Sequence, residues 1–183
     1  MDGVDVSIIK SDGNTEYSTI LDEYFEYKDT VREKLINIRE KVLISDDLKT
    51  YSEEINLLER EITLFHADVT NQILEKSKSK VDFLGFHGQT ILHNPKKKIT
   101  KQLGDGKLLS ELTKKTVICD FRQNDLNNGG QGAPLTPIYH KLLAKTFKED
   151  GKLKLPIIIL NIGGIANITS INKQLEIVIS SIL

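Results

Sequence analysis

Gly85-Phe86-His87-Gly88-Gln89-Thr90 opens a stretch that runs on through Gly104-Asp105-Gly106 and Asp120-Phe121-Arg122 to Gly129-Gly130-Gln131-Gly132-Ala133-Pro134. Each run sets glycine beside groups that can recognise a polar ligand, the combination expected where backbone approaches a small molecule closely or turns with φ above zero. The stretch reads as a pocket for a sugar or a phosphate. Val81–Phe86, just inside it, has the composition of a buried strand and delivers His87 to its C-terminal end, where open α/β sheets bind ligands. Lys107–Lys114 predicts a helix, Thr116–Asp120 a second strand, and Pro134–Phe147 a helix whose first turn takes Pro134. This alternation makes the two strands parallel neighbours, with His87 and Arg122 emerging on one side. Asn94-Pro95-Lys96-Lys97-Lys98 between them reads as a solvated loop rather than a phosphate site.

Working outward toward the N-terminus, Val4–Lys10 alternates as a strand, Ser11-Asp12-Gly13-Asn14 is turn chemistry, and Thr15–Ile20 returns as a hairpin partner. A charged helix is expected from about Tyr24 to Leu43. A second starts near Thr50, whose spacing to Glu53 suits a capping box. Leu58, Ile62, Phe65, Val69 and Ile73 give this second helix one apolar face. Glu59, Arg60, Glu61, Glu75 and Lys76 read as its solvated face, and His66 as a packed neighbour of the stripe. In the other direction, Lys148–Lys152 reads as a linker. Ile157–Asn161 follows as a strand of the fully buried type, Gly163-Gly164 as a tight turn, Ile165–Ile171 as the returning strand, and Leu175–Ile179 as one more strand. The expected domains are therefore 1–150 and the beginning of another at 151–183.

The composition sets bounds on function. At 183 residues, 39% hydrophobic and 28% charged, the chain has the makings of an ordinary globular core. A net charge of −1 gives no electrostatic argument for nucleic acid or an anionic membrane surface. The single Cys119 excludes an intrachain disulfide framework and a cysteine-cluster zinc site, and fits a reducing compartment. With no run of about 18 apolar residues and no signal-peptide pattern at Met1-Asp2-Gly3, the expectation is a soluble cytoplasmic protein.

At this point the motifs resemble a family. Gly85–Ile91, Gln102–Gly106, Asp120-Phe121-Arg122 through Asp125 to Leu135, and Asn161-Ile162-Gly163-Gly164-Ile165-Ala166-Asn167-Ile168-Thr169 are similar, in order, to the signatures of bacterial anhydro-N-acetylmuramic acid kinases. Met1-Asp2-Gly3-Val4-Asp5 resembles the end of that family's N-terminal nucleotide-binding signature. The resemblance covers about residues 1–170. It implies an α/β, actin-like (ribonuclease H-like) sugar-kinase domain with a mixed sheet and helices, plus the start of a second similar domain, binding ATP and sugar between them. It also implies ATP-dependent opening of the 1,6-anhydro ring by water, with phosphorylation at O6 to give N-acetylmuramic acid 6-phosphate in peptidoglycan recycling. ATP and Mg²⁺ are the implied cofactors, and a homodimer is compatible with it.

Carried onto this chain, the resemblance assigns His87, Gln89 and Thr90 to the sugar, and their side chains can all hydrogen-bond hydroxyls. Arg122 is placed near the reacting centre as a permanently charged fork for carboxylate or phosphate. Asp120 is a catalytic candidate that can equally hold Arg122, and an Arg122 ion pair with Asp120 or Asp125 is the structural alternative. Gly130, Gln131, Gly132, Ala133 and Pro134 are expected to lay N–H groups against the sugar at a helix N-terminus. Asp2, Gly3, Asp5, Asn161, Gly163 and Gly164 fall to the nucleotide, the last two as a phosphate-binding hairpin. No metal ligand is assigned. Lys101 stands where the family usually has an apolar residue, and nothing after Thr169 matches the segment that carries the family's water-activating aspartate. The chain is therefore expected to be a fragment truncated at both ends, inactive alone and served by a separately encoded C-terminal half. The alternative is a non-catalytic muropeptide-sugar-binding or regulatory module.

Overall fold

The computed structural model describes residues 2–14, 16–162 and 166–182. It is a mixed α/β chain that divides into two compact units, Met1–Ile9 with Thr19–Ala133, and Lys10–Ser18 with Pro134–Leu183. The division falls between Ala133 and Pro134, ahead of the expected boundary at 150/151, because the helix that follows packs on the strands C-terminal to it.

The chain opens with strands β1 (Gly3–Ser11) and β2 (Tyr17–Glu26), which pair with each other. The expected helix from Tyr24 starts only at Asp29. Residues 21–26 instead alternate between half-buried and exposed, the period-2 pattern of a strand, so Tyr24–Glu26 complete β2. Helix α1 (Asp29–Lys41) is followed by the short α2 (Asp47–Thr50) and the long α3 (Ser52–Ser77). The capping box expected at Thr50 and Glu53 does not form. Thr50 closes α2, its hydroxyl donating to the Asp46 carbonyl at 3.2 Å, and α3 starts after Tyr51 without a side-chain cap.

The core lies between α1 and α3. Val31, Leu35, Ile38 and Val42 recur at steps that keep them on one face, and they meet Ile55, Leu58, Ile62 and Val69 with Tyr27, Ile91 and Leu103. Phe65 packs at the edge of this cluster, and Ile73 is also buried. Lys34–Glu61 at 2.8 Å and Lys41–Glu54 at 2.9 Å flank it as exposed or half-exposed ion pairs, which contribute little beside the apolar burial.

After α3 come β3 (Phe83–Phe86), β4 (Gln89–Asn94), a 3-10 turn at Pro95–Lys97, β5 (Ile99–Leu103), α4 (Gly106–Thr113), β6 (Thr116–Cys119) and α5 (Phe121–Asn127). β3 and β6 pair in parallel, Phe83 opposite Thr116 and Phe86 opposite Cys119. β3 is not the buried strand expected, since Phe83 is 59% exposed. β4 and β5, which no apolar alternation marks in the sequence, form an antiparallel hairpin with a register shift between Thr90 and Leu92. In place of one mixed sheet, pairing among the described residues is shared by four separate sheets. A small cluster of Ala67, Phe86 and Leu109, with Val117 against it, seats β3, α4 and β6 on α3.

In the second unit, α6 (Pro137–Glu149) packs against β8 (Ala166–Ile171) and β9 (Ile177–Ile182), with β7 (Ile157–Asn161) antiparallel to β8. Pro137, not Pro134, occupies the first turn of α6. Ala144 and Ile171 are buried, and the His140 ring bonds the Thr169 hydroxyl at 2.9 Å. β7 is an edge strand rather than the fully buried one expected, with Ile158 at 69% and Leu160 at 52% exposure. The Gly163-Gly164 turn lies outside the described residues.

Candidate functional site

The parallel register of β3 and β6 decides where the site begins. Phe86 and Cys119 are partners, so the next residues, His87 and Asp120, leave neighbouring strands at the same C-terminal end. Asp120 takes a left-handed conformation, φ 59° and ψ 42°, which turns the chain at once into α5 and brings Arg122 back toward His87. Gly88, at φ +69°, reverses the chain on the other side. A Cβ there would sit on the Leu103 carbonyl oxygen, so only glycine lets the His87–Gln89 turn close against β5.

His87 and Arg122 meet directly. The Arg122 Nε–H donates to His87 Nε2 at 2.9 Å, and His87 Nδ1 lies 2.8 Å from the Gly88 carbonyl oxygen. A carbonyl only accepts and an arginine Nε–H only donates, so Nδ1 carries the proton and Nε2 presents its lone pair. The pair therefore fixes a neutral, Nδ1–H imidazole. Desolvation of the ring lowers the His87 pKa, the Gly88 carbonyl bond opposes this, and the Arg122 charge adds to the lowering. Burial also pulls Arg122 below its ordinary value, but the guanidinium remains a cation. Its Nη1 donates to the Gly132 carbonyl at 2.7 Å. Among the described residues Arg122 has no ion pair, so neither Asp120 nor Asp125 neutralises it.

Asp125 turns instead to the glycine-rich turn. Its Oδ2 accepts from the Gly132 N–H at 2.7 Å, and its backbone carbonyl accepts from Gly130 at 2.8 Å. This corrects the expectation for Gly130–Pro134. The segment is no helix N-terminus, because α6 starts three residues later, and the Gly130 and Gly132 amides are engaged inside the turn. Gln131 is exposed there, Ala133 is half-buried, and Pro134 falls in the second unit.

Beside His87 lies a cavity of about 270 Å³ whose walls include Asp120, Cys119, Thr100, Lys101, Gln102 and Gln123. Thr90 and Gln89, expected to face the sugar, sit on β4 behind the lining, with Thr90 bonded to the wall residue Gln102. The Gln102 side-chain amide holds the hydroxyls of Thr90 at 3.2 Å and Thr100 at 2.7 Å. Asp105 caps α4 through a 2.9 Å bond from Leu108, while Gly104 before it lines the cavity.

Glu59, expected on the solvated face of α3, has another part. Its carboxylate accepts from Lys101 Nζ at 2.7 Å and from the Gly104 N–H at 3.0 Å, anchoring β5 to the helix. One turn on, the buried Thr63 hydroxyl accepts from the Asp105 N–H at 3.0 Å. The i, i+4 spacing of Glu59 and Thr63 is the signal that could have found this docking face. His93 was also missed, because β4 was not recognised. It approaches the Gly132 backbone, and desolvation followed by Arg122 lowers its pKa, opposed by the bond its ring donates to the Gln131 backbone. His66 is packed between Tyr27 and Phe86, bonded to the Ile62 carbonyl at 2.8 Å, with its pKa lowered by burial.

The nucleotide candidates fall on other elements of the chain. Gly3 is packed against the Phe25 carbonyl and Tyr24, the Asp2 carbonyl accepts from Tyr27 at 2.9 Å, and Asp5 is exposed on β1. Asn161 ends β7 opposite Asn167, while Gly163 and Gly164 lie outside the described residues. Among the described residues no cluster of three or more His, Cys, Asp or Glu can hold a metal ion, and no helix is long and apolar enough to cross a membrane.

Comparison with known proteins gives this geometry a context. Curated proteins named anhydro-N-acetylmuramic acid kinase match at 53% identity over 169 residues in Pelagibacter ubique, 38% over 175 in Rhodopseudomonas palustris and 36% over 177 in Brucella suis. The matches cover 92%, 94% and 95% of this chain but 44%, 47% and 47% of the relatives. The chain thus spans less than half the length of the curated relatives it matches. The family model described as anhydro-N-acetylmuramic acid kinase matches residues 1–179, and with that match the chain belongs to the anhydro-N-acetylmuramic acid kinase family.

Proposed function

We propose that this chain supplies the sugar-facing corner of an ATP-dependent kinase acting on 1,6-anhydro-N-acetylmuramic acid, on an actin-like fold. The observation that carries the reading is Arg122. It is a cation without a carboxylate partner among the described residues, held in one orientation by His87 and Gly132 at the C-terminal ends of two parallel strands. In the proposed reaction a water oxygen bonds to C1 of the sugar while the C1–O6 bond breaks. O6 then takes the γ-phosphoryl group of ATP, giving the 6-phosphate, ADP and a proton. Charge grows on O6 and on the transferring phosphoryl group, and a fixed guanidinium stabilises such charge without reorganising.

His87 serves this corner as a brace. Its Nε2 is occupied by Arg122, so the ring orients the cation and is not the base for water. Asp120, exposed on the cavity wall, is the carboxylate we assign to contact with the sugar. Mg²⁺ would accompany ATP and screen its phosphates, and no residue of this chain is assigned to it. Family membership does not favour the alternative of a non-catalytic binding module.

The test is calorimetry of 1,6-anhydro-N-acetylmuramic acid with this chain and with Arg122→Ala. The expected result is binding that weakens by roughly 1.5–3 kcal/mol, the scale of a charge-assisted hydrogen bond. Binding untouched by the substitution would remove Arg122 from the site and with it the reading.

A further inference from the structure

We infer that Asp125 is a positioning residue that aims Arg122 by clamping the Gly129–Gly132 turn. The two residues lie three apart on α5, close enough for a direct ion pair that would satisfy both charges and draw the guanidinium away from His87. That pair is not made. The Asp125 carboxylate takes the Gly132 N–H, and the Gly132 carbonyl takes Arg122 Nη1, so one backbone residue stands between anion and cation. The second acceptor of Asp125, its own carbonyl, holds Gly130. Space for the carboxylate exists because residue 130 has no side chain, since a Cβ there would overlap it. Gly132, at φ +66°, presents its N–H and its carbonyl to the two partners, and a Cβ on it would press on Leu126, the Arg122 carbonyl and His93 at 3.1–3.2 Å. With Nη1 fixed by the turn and Nε by His87, the guanidinium plane is set from two directions. The cation keeps its charge for an anionic or developing negative group.

This inference rests on the reading of Arg122 as the ligand contact, and it is tested without ligand. The readout is nitrogen NMR of the His87 ring and the Arg122 Nε–H in the full chain. In the unsubstituted protein, His87 is in the Nδ1–H tautomer and the Arg122 Nε–H is protected from solvent exchange. Asp125→Ala is expected to speed that exchange about tenfold, the equivalent of one lost hydrogen bond, and to mix the His87 tautomers. Asp125→Asn keeps an acceptor for Gly132 and is expected to retain both signals. A folded Asp125→Ala protein with unchanged His87 and Arg122 signals would overturn the clamp, as would Asp125→Asn failing in the same way as Asp125→Ala. Should Asp125→Ala not fold, Gly130→Ala displaces the carboxylate while leaving every hydrogen-bonding group in place. It is expected to give the same loss, and unchanged signals in it would overturn the proposal. Shifted signals with sugar binding unaltered would uphold the clamp and place the failure in the assignment of Arg122 to the ligand.

Discussion

Ile62 and Arg122 occupy the same unit and are fixed by opposite means. Ile62 has no exposed surface and sits in a cluster with Leu35, Leu58 and Leu103, where many weak contacts share the work. Arg122 stays half-exposed and is held by two directional bonds, one to a ring nitrogen and one to a backbone carbonyl. The first arrangement tolerates small displacements. The second fails when either partner moves by a fraction of an ångström, which suits a group that must aim. Stability in the first unit should therefore answer to the α1–α3 core, and ligand recognition to the Arg122 corner, with little exchange between them.

The largest effect that can break this comparison is Ile62→Ala. It should cost about 2–5 kcal/mol of unfolding free energy, as buried aliphatic truncations do, seen as a lowered urea midpoint. Arg122→Ala should stay within about 1 kcal/mol of the unsubstituted stability. If the two melt alike, the corner is part of the core and the contrast is false.

Next in size is the exchange of Arg122 for lysine. Lysine has one point of charge and no planar fork, so it cannot bond His87 and the Gly132 carbonyl in the same way. Sugar binding should fall nearly as far as with alanine, by roughly 1.5–3 kcal/mol. Recovery of full affinity in Arg122→Lys, measured by calorimetry, would show that charge alone matters there and that aim does not.

Much of the first region was legible in the chain, and the difference has a physical source. The apolar stripe of α3 repeats at helical spacing, and Leu58, Ile62, Val69 and Ile73 are buried accordingly. The apolar run ending at Phe86 likewise pointed to β3 and to His87 at its end. At the corner the glycine-rich run marks a turn, but its bonds go from the Gly130 and Gly132 amides to the Asp125 carbonyl and carboxylate and from Arg122 to the Gly132 carbonyl, and a backbone group's partner is written in no residue type. The β4–β5 hairpin escaped for another reason. Its strands carry Gln, Thr, His and Lys on half-buried faces, so apolar alternation is weak. With that hairpin unseen, His93 has no strand to place it, and Gln89 and Thr90 group with His87 at a strand end instead of on a strand of their own.

A smaller effect sharpens the border between the two regions. Glu59 starts from the core helix and ends on the site side, bonding Lys101 and the Gly104 amide. Glu59→Gln keeps an acceptor and loses the charge. It should cost about 1 kcal/mol of stability, the net worth of a typical hydrogen bond, with protection of the Gly104 amide from hydrogen exchange reduced. Unchanged exchange at Gly104 would show that the close approach of Gly88 and Leu103 holds β5 without the carboxylate.

The smallest expected effect is the response to acid, and its sign follows from the histidines. His66, His87 and His93 all have pKa values lowered from the ordinary 6.5, first by desolvation. The folded state therefore binds fewer protons than the unfolded chain in the window below 6.5, and stability falls as pH falls through that window. Above it the rings are neutral in both states and the contribution is fully present. The two regions should respond differently. Protonating His66 puts a charge between Tyr27 and Phe86 and weakens the core as a whole. Protonating His87 sets an Nε2–H against the Arg122 Nε–H and an imidazolium against a guanidinium, so the bond that aims Arg122 is lost while the core stands. Histidine ring NMR followed from neutral to mildly acidic pH should show the Arg122 Nε–H losing protection as His87 titrates, with the amides of α3 still protected. Simultaneous loss of both signals would mean that His66 and His87 titrate within one cooperative unit, and that the Arg122 corner has no stability separate from the core.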